Sequence, residues 1–191
     1  MTKTVEFKIE NMAEFKQVLE KLGGAAAGKN LRDAVEAGMR VIEGNALVNI
    51  EKNFSSRSQG NLAGNRSLET VIEGAQAVSR LIFHSVHARI QEFGGVIKPV
   101  SAKYLAIPQT DSARKAGSPR NYPGKLRFAG NDSGGVLTDG SGEVVYVLKK
   151  AVTIPARPYL RPAMDEHVSE IEQAMAASLR QSFEEVTRGN R

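Results

Sequence analysis

The chain has 191 residues, enough to bury a core without metals or disulfides, and 41% of them are hydrophobic, which argues against wholesale disorder. It has no cysteine, so thiol catalysis, cysteine-based zinc sites, iron–sulfur clusters and a disulfide framework are excluded. Twenty-six Lys and Arg against 21 Asp and Glu give a net charge of +5, a mild excess that permits nucleic-acid contact without demanding it.

The N-terminal stretch MTKTVEFKIENMAEF has no apolar signal-peptide core, and no run approaches the roughly 18 apolar residues that span a bilayer. A soluble, cytosolic protein is expected. Val5, Phe7 and Ile9 alternate with Glu6 and Lys8, which predicts a half-buried strand. Asn11 and Glu14 form a capping-box pattern. Met12, Phe15, Leu19 and Leu22 then follow at helical spacing, and Gly23-Gly24 closes that helix.

Asn30 offers a cap for a longer helix reaching about Phe54, with Leu31, Ala34, Val35, Val41, Ile42, Leu47 and Ile50 mainly on one face. Gly38 and Gly44 each weaken it by about 1 kcal/mol against Ala, or admit a closely packed neighbour. Residues 55–67 are rich in Ser, Gly and Asn and read as a mobile loop. Residues 77–84 alternate as a strand, and VHARIQEFGG gives a short helical turn ending at Gly94-Gly95. VIKPVSAKYLAIP is β-branched and alternating, with Pro99 confining it to an edge or a bulge.

From Pro108 to Gly135 the composition is loop-like and mobile, and ARKAGSPRNYPGKLR holds five basic residues and no acid. Arg114, Lys115 and Arg120 make this the strongest electrostatic feature, suited to an acidic neighbour or to DNA without base readout. GVLTDGSGEVVYVLKKAVTI predicts a hairpin whose turn is Asp139-Gly140-Ser141-Gly142. Pro162 suits the first turn of a last helix, and Asp165 and Glu166 complement its positive start. Met164, Val168, Ile171, Met175, Leu179, Phe183 and Val186 draw one stripe along some 26 residues, about 39 Å of helix.

The residue inventory points away from catalysis. His84 and His87 stand three apart with Glu92 near, half a metal site at most, and the region is not a continuous helix. GNDSGG at 130–135 is superficially like a protease nucleophile loop but reads as a hairpin turn. No Walker loop, dinucleotide fingerprint or Gly-x-Ser-x-Gly elbow occurs. No catalytic residue, cofactor or metal is expected.

Three segments carry a resemblance. HARIQEFGG (87–95) is similar to the Tyr-Ala-x-x-x-Glu-Phe-Gly signature of a tailed-phage family, with His87 where Tyr is usual. VIKPVSAKYLAIP (96–108) resembles the following segment in its Mu-like members, and LKKAVTIPARPYLRPAMDE (148–166) resembles the Pro-Ala-Arg-Pro-Phe-Leu-Arg-Pro-Ala close. The family is that of phage virion morphogenesis proteins, also called minor tail, tail-completion or neck proteins. Before Ala77, QGNLAGN is the nearest copy of the Thr-Gly-x-Leu segment that many relatives carry.

The resemblance implies a non-catalytic assembly subunit of the virion, present in host cytoplasm during assembly, that joins head and tail. Its partners would be adaptor or connector proteins, a tail terminator or tube, and copies of itself in a ring, with nonspecific contact to packaged DNA and no membrane. A tail-tube terminator or other minor tail protein is the alternative, and a nonspecific DNA-binding protein the alternative from another class. The expected fold is α+β, one domain over 1–191, with a mainly antiparallel sheet packed by N-terminal helices and a long C-terminal helix. Proline fixes φ before contact, so PARPYLRP loses little entropy on docking. Arg157 and Arg161 suit forked bonds to carboxylates, and Tyr159 and Leu160 either anchor in a partner's pocket or fill the subunit's own core.

Overall fold

The computed structural model describes residues 25–55, 61–73 and 76–189. The strand and helix expected over residues 5–22 lie outside the described residues. The fold is α+β, with helices and antiparallel sheets, and it divides into two compact units. One holds the described residues up to Phe93 together with those from Ala156 on; the other is Gly94–Pro155. The sequence reading treats these as one body.

The first unit is built on helix α1 (Ala25–Asn53). Its inward positions Met39, Ile42, Ala46 and Ile50 are buried with Phe54, Leu81, Leu160 and Ile171. The helix starts before Asn30, which is buried within it and caps nothing. Gly38 is where a second helix comes close: a Cβ there would stand 2.8 Å from Cγ of Met175. Gly44 faces open space.

Strands β1 (Arg66–Glu73) and β2 (Gln76–Phe83) pair antiparallel in full register, from Arg66 opposite Phe83 to Glu73 opposite Gln76. A lone two-stranded hairpin is marginal in water. Here Ala77 and Leu81 of β2 join the core on α1, and Thr70 and Ser79 share a buried hydroxyl bond of 2.9 Å. β1 cuts into the expected 55–67 loop, whose residues 56–60 lie outside the described ones. Arg66 also bonds Glu43 of α1 at 2.6 Å.

The single C-terminal helix expected from Pro162 is two helices. Helix α2 (Ala88–Phe93) precedes the second unit, which holds α3 (Asp111–Ala116); after that unit come α4 (Leu160–Asp165) and α5 (Val168–Gly189). The chain turns at Glu166-His167, and His167 Nδ1 lies 3.2 Å from Glu170, three residues on, as α5 begins. The break resets the helical phase. Ile171 and Leu179 are buried, but Val168 faces solvent, and the side chains of Phe183 and Val186 lie outside the described residues. Asp165 ends α4 instead of starting a helix.

In the second unit, β3 (Gly95–Ile97) pairs with β8 (Val152–Ile154), both antiparallel and short. A four-stranded antiparallel sheet has the order β4-β7-β6-β5, with β4 at Leu105–Pro108, β5 at Arg127–Asn131, β6 at Gly134–Thr138 and β7 at Val144–Lys149. The β6–β7 hairpin is as the sequence predicts. Its turn is held by Asp139, whose Oδ1 accepts from the Ser141 hydroxyl (2.7 Å) and the N–H groups of Ser141 (2.9 Å) and Glu143 (3.0 Å).

The loop expected over 108–135 is largely regular structure. It contains helix α3 (Asp111–Ala116), a 3-10 turn (Pro119–Asn121) and the β5–β6 hairpin, whose turn is the Asp132-Ser133 of GNDSGG. Local caps build it. Thr110 accepts from the Ala113 N–H, Gly117 closes α3, and Ser118 with Pro119 opens the 3-10 turn. These are the Ser, Thr, Gly and Pro residues that make the composition loop-like. Fully buried Ala113 packs against Val145 and Tyr146, and the Tyr146 hydroxyl donates to the Ala113 carbonyl at 3.1 Å.

Candidate functional site

Two of the resembling segments meet at one residue. α2 ends in Glu92-Phe93-Gly94, and Gly94 turns the chain out of the helix at φ 67°, a conformation that favours glycine. Glu92 points inward and is 5% exposed. Its Oε2 accepts from the N–H groups of Tyr159 (2.8 Å) and Leu160 (3.0 Å), and its Oε1 from that of Arg161 (2.9 Å). These are the free donors at the start of α4, where Tyr159 supplies no side-chain cap. A carboxylate placed there satisfies donors that would otherwise be buried and unpaired, and it complements the positive helix end.

The grip continues on both sides. The Arg157 N–H donates to the Gln91 carbonyl at 2.7 Å. From α1, Asn49 Nδ2 donates to the Tyr159 carbonyl at 3.0 Å and Asn53 Nδ2 to the Pro158 carbonyl at 3.4 Å. Backbone groups of residues 157–161 are therefore held by hydrogen bonds from α1 and α2.

Tyr159 and Leu160 are each 2% exposed. The Tyr159 ring meets Phe83 edge-on at 5.0 Å and Phe54 at 6.2 Å. Burial above all, and then the Glu92 carboxylate, pushes its phenol far above the ordinary tyrosine range. Of the two readings of these residues, partner anchors or core, their burial fits the second: they fill the chain's own core. Arg157 and Arg161 are exposed, as a contact role requires. The Arg161 guanidinium lies over the Phe93 ring at 5.7 Å, and that of Arg89 lies over the same ring at 5.8 Å. Phe93 is 46% exposed.

Sequence reasoning names Arg157 and Arg161 but misses Arg89 and Phe93 beside Arg161, and misses Glu92 as the group that holds the Arg161 backbone. Arg89 and Phe93 stand four apart, which is neighbour spacing on a helix. Nothing local joins them to Arg161.

The basic segment lies in the second unit. Arg114 pairs with Asp111 at 2.7 Å and reaches the Gln109 carbonyl at 3.4 Å. Lys115 and Arg120 are exposed, with no carboxylate partner among the described residues. The histidines do not converge. His84 Nε2 bonds Ser67 at 2.8 Å, and Glu92 is committed to backbone N–H groups. Among the described residues no group of three His, Asp or Glu is placed to hold a metal ion, and no helix is long and apolar enough to cross a membrane.

No family model, curated protein or solved structure matches the chain.

Proposed function

We propose that this protein is a structural subunit of a tailed phage or prophage, a neck or tail-completion protein joining head and tail. The reading rests on the resemblance of residues 87–95 and 148–166 to virion morphogenesis proteins. One observation supports treating these segments as a functional unit instead of two chance matches. Glu92 of the first is bonded to three successive backbone N–H groups of the second. A motif pair that folds into one rigid element, with Arg157 and Arg161 left outside it, suits a contact repeated around a ring. Each copy docks without first ordering the segment, so little conformational entropy opposes assembly.

The test is complementation of a phage lacking this gene with the Arg157→Glu, Arg161→Glu protein. Both side chains are exposed, so circular dichroism and melting stay near wild type. Filled heads and free tails are expected in place of whole virions. Infectious particles at wild-type yield would remove the arginines from the joining contact.

A second reading, nonspecific DNA contact, draws on Lys115 and Arg120, which stand exposed without carboxylate partners among the described residues. It requires binding to duplex DNA that weakens steeply with salt and is reduced when both residues are neutralised.

A further inference from the structure

We infer that Arg89, Phe93 and Arg161 form a preorganised docking surface for an acidic protein segment, one carrying carboxylates beside an apolar side chain. The inference goes beyond the virion reading and does not depend on it.

Two guanidinium groups sit within 6 Å of the centre of one half-exposed ring, at 5.8 and 5.7 Å. Gathering like charges has a cost that a nearby carboxylate would normally offset. The adjacent carboxylate, Glu92, is turned inward with both oxygens bonded to backbone N–H groups. No other carboxylate of the described residues pairs with Arg89 or Arg161. Among the described residues the two guanidinium groups therefore have no salt-bridged carboxylate, and a carboxylate-bearing partner complements them.

The ring decides which kind of anion. A duplex phosphate backbone would satisfy the arginines and leave the phenyl group wet. Arginine and aromatic residues side by side characterise the energetic centres of protein interfaces, where covering the ring excludes water from the ion pairs. Phe93 also carries guanidinium groups over its π system, so less of its face is offered to a nucleobase.

Preorganisation makes the patch more than an accident of side-chain placement. Arg89 and Phe93 share α2. The backbone of Arg161 is tied to that helix by Glu92 Oε1, one residue before Phe93. The backbone positions from which the three side chains project are therefore set before binding, by α2 and by the buried carboxylate.

The experiment uses the full chain and a fluorescein-labelled peptide of glutamates interspersed with leucines, followed by anisotropy, with a labelled DNA duplex as the second arm. Saturable binding of the peptide is expected. Phe93→Ala, which changes no charge, should weaken it about tenfold, and Arg89→Ala by a similar factor. Arg89→Lys keeps the charge but loses the planar fork, and should fall between wild type and Arg89→Ala. Lys115→Ala, in the other unit, should leave peptide affinity within about twofold if the site is local. Melting curves accompany each variant, and Arg89→Lys keeps the test valid should Phe93→Ala fold poorly. Absence of saturable peptide binding overturns the proposal. So does wild-type affinity in both Phe93→Ala and Arg89→Ala. Tight duplex binding that these variants weaken, without peptide binding, would make the patch a nucleic-acid site and equally overturns it.

Discussion

Residues 157–161 and residues 109–122 are alike in composition, each with proline, tyrosine and arginine, and each suggests an exposed basic turn. The structure separates them. The first segment is set by distant groups: Glu92 at its N–H groups, Asn49 and Asn53 at its carbonyls, Phe54 and Phe83 around its tyrosine. The second is set by its own neighbours, with Thr110 and Ser118 as caps, and closes over Tyr146. Long-range fixing puts the tyrosine in the core and leaves only the arginines outside. Local fixing yields short elements whose polar side chains stay mostly on the surface.

The sharpest test of that contrast is Glu92→Ala. It strips the acceptor from three N–H groups at a buried position, and a loss of at least about 3 kcal/mol is expected in urea unfolding. Glu92→Gln retains one acceptor oxygen and should lose less. A neutral Glu92→Ala would mean that the start of α4 is solvated and that the grip on 157–161 is not structural.

Thr110→Ala probes the locally built segment. It removes one cap bond, from the Ala113 N–H at 3.2 Å, and about 1 kcal/mol is expected. If it cost as much as Glu92→Ala, the distinction between long-range and local fixing would fail.

The two central glycines of α1 give a contrasting pair. Gly44→Ala enters open space and should raise stability by up to about 1 kcal/mol. Gly38→Ala gains the same helix propensity but pushes on Met175 and Ile171, so its melting temperature should fall below that of Gly44→Ala. Equal gains at both sites would contradict the close approach of α1 and α5.

The smallest effect is a titration. The Ser141 hydroxyl, followed by backbone N–H groups, holds the Asp139 carboxyl below its ordinary range. The ionised form is the one bonded in the fold. Its contribution to the turn is present above the unfolded pKa and fades as pH falls through the lowered folded value. The NMR inflection of Asp139 should lie below that of an ordinary aspartate, and Ser141→Ala should move it up. An ordinary inflection in wild type would deny the turn its hydrogen bonds.

What was legible follows the range of the interactions. The α+β class, the α1 face from Leu31 to Ile50 and the Asp139 turn rest on periodicity or on residues within a few positions of each other. α3 also rests on local caps, but its Thr, Ser, Gly and Pro residues read as loop by composition and as caps only by position. The break at Glu166-His167 hid because the apolar stripe continues through it in sequence while the backbone does not. In the sequence Glu92 stands out only beside His84 and His87. Its partners lie 67 to 69 residues away, and no local pattern announces a carboxylate that caps a distant helix. The arginines of PARPYLRP were readable as surface because charge is rarely buried. Sequence alone does not choose between partner and core for Tyr159 and Leu160; packing does.

The functional proposal has one direct measurement. Particles purified from cells carrying the gene would be labelled with gold-conjugated antibody to this chain and imaged by electron microscopy. The account predicts label confined to the vertex where tail meets head, or to the head-proximal end of free tails. Particles without label, or label spread over the capsid surface, would contradict it.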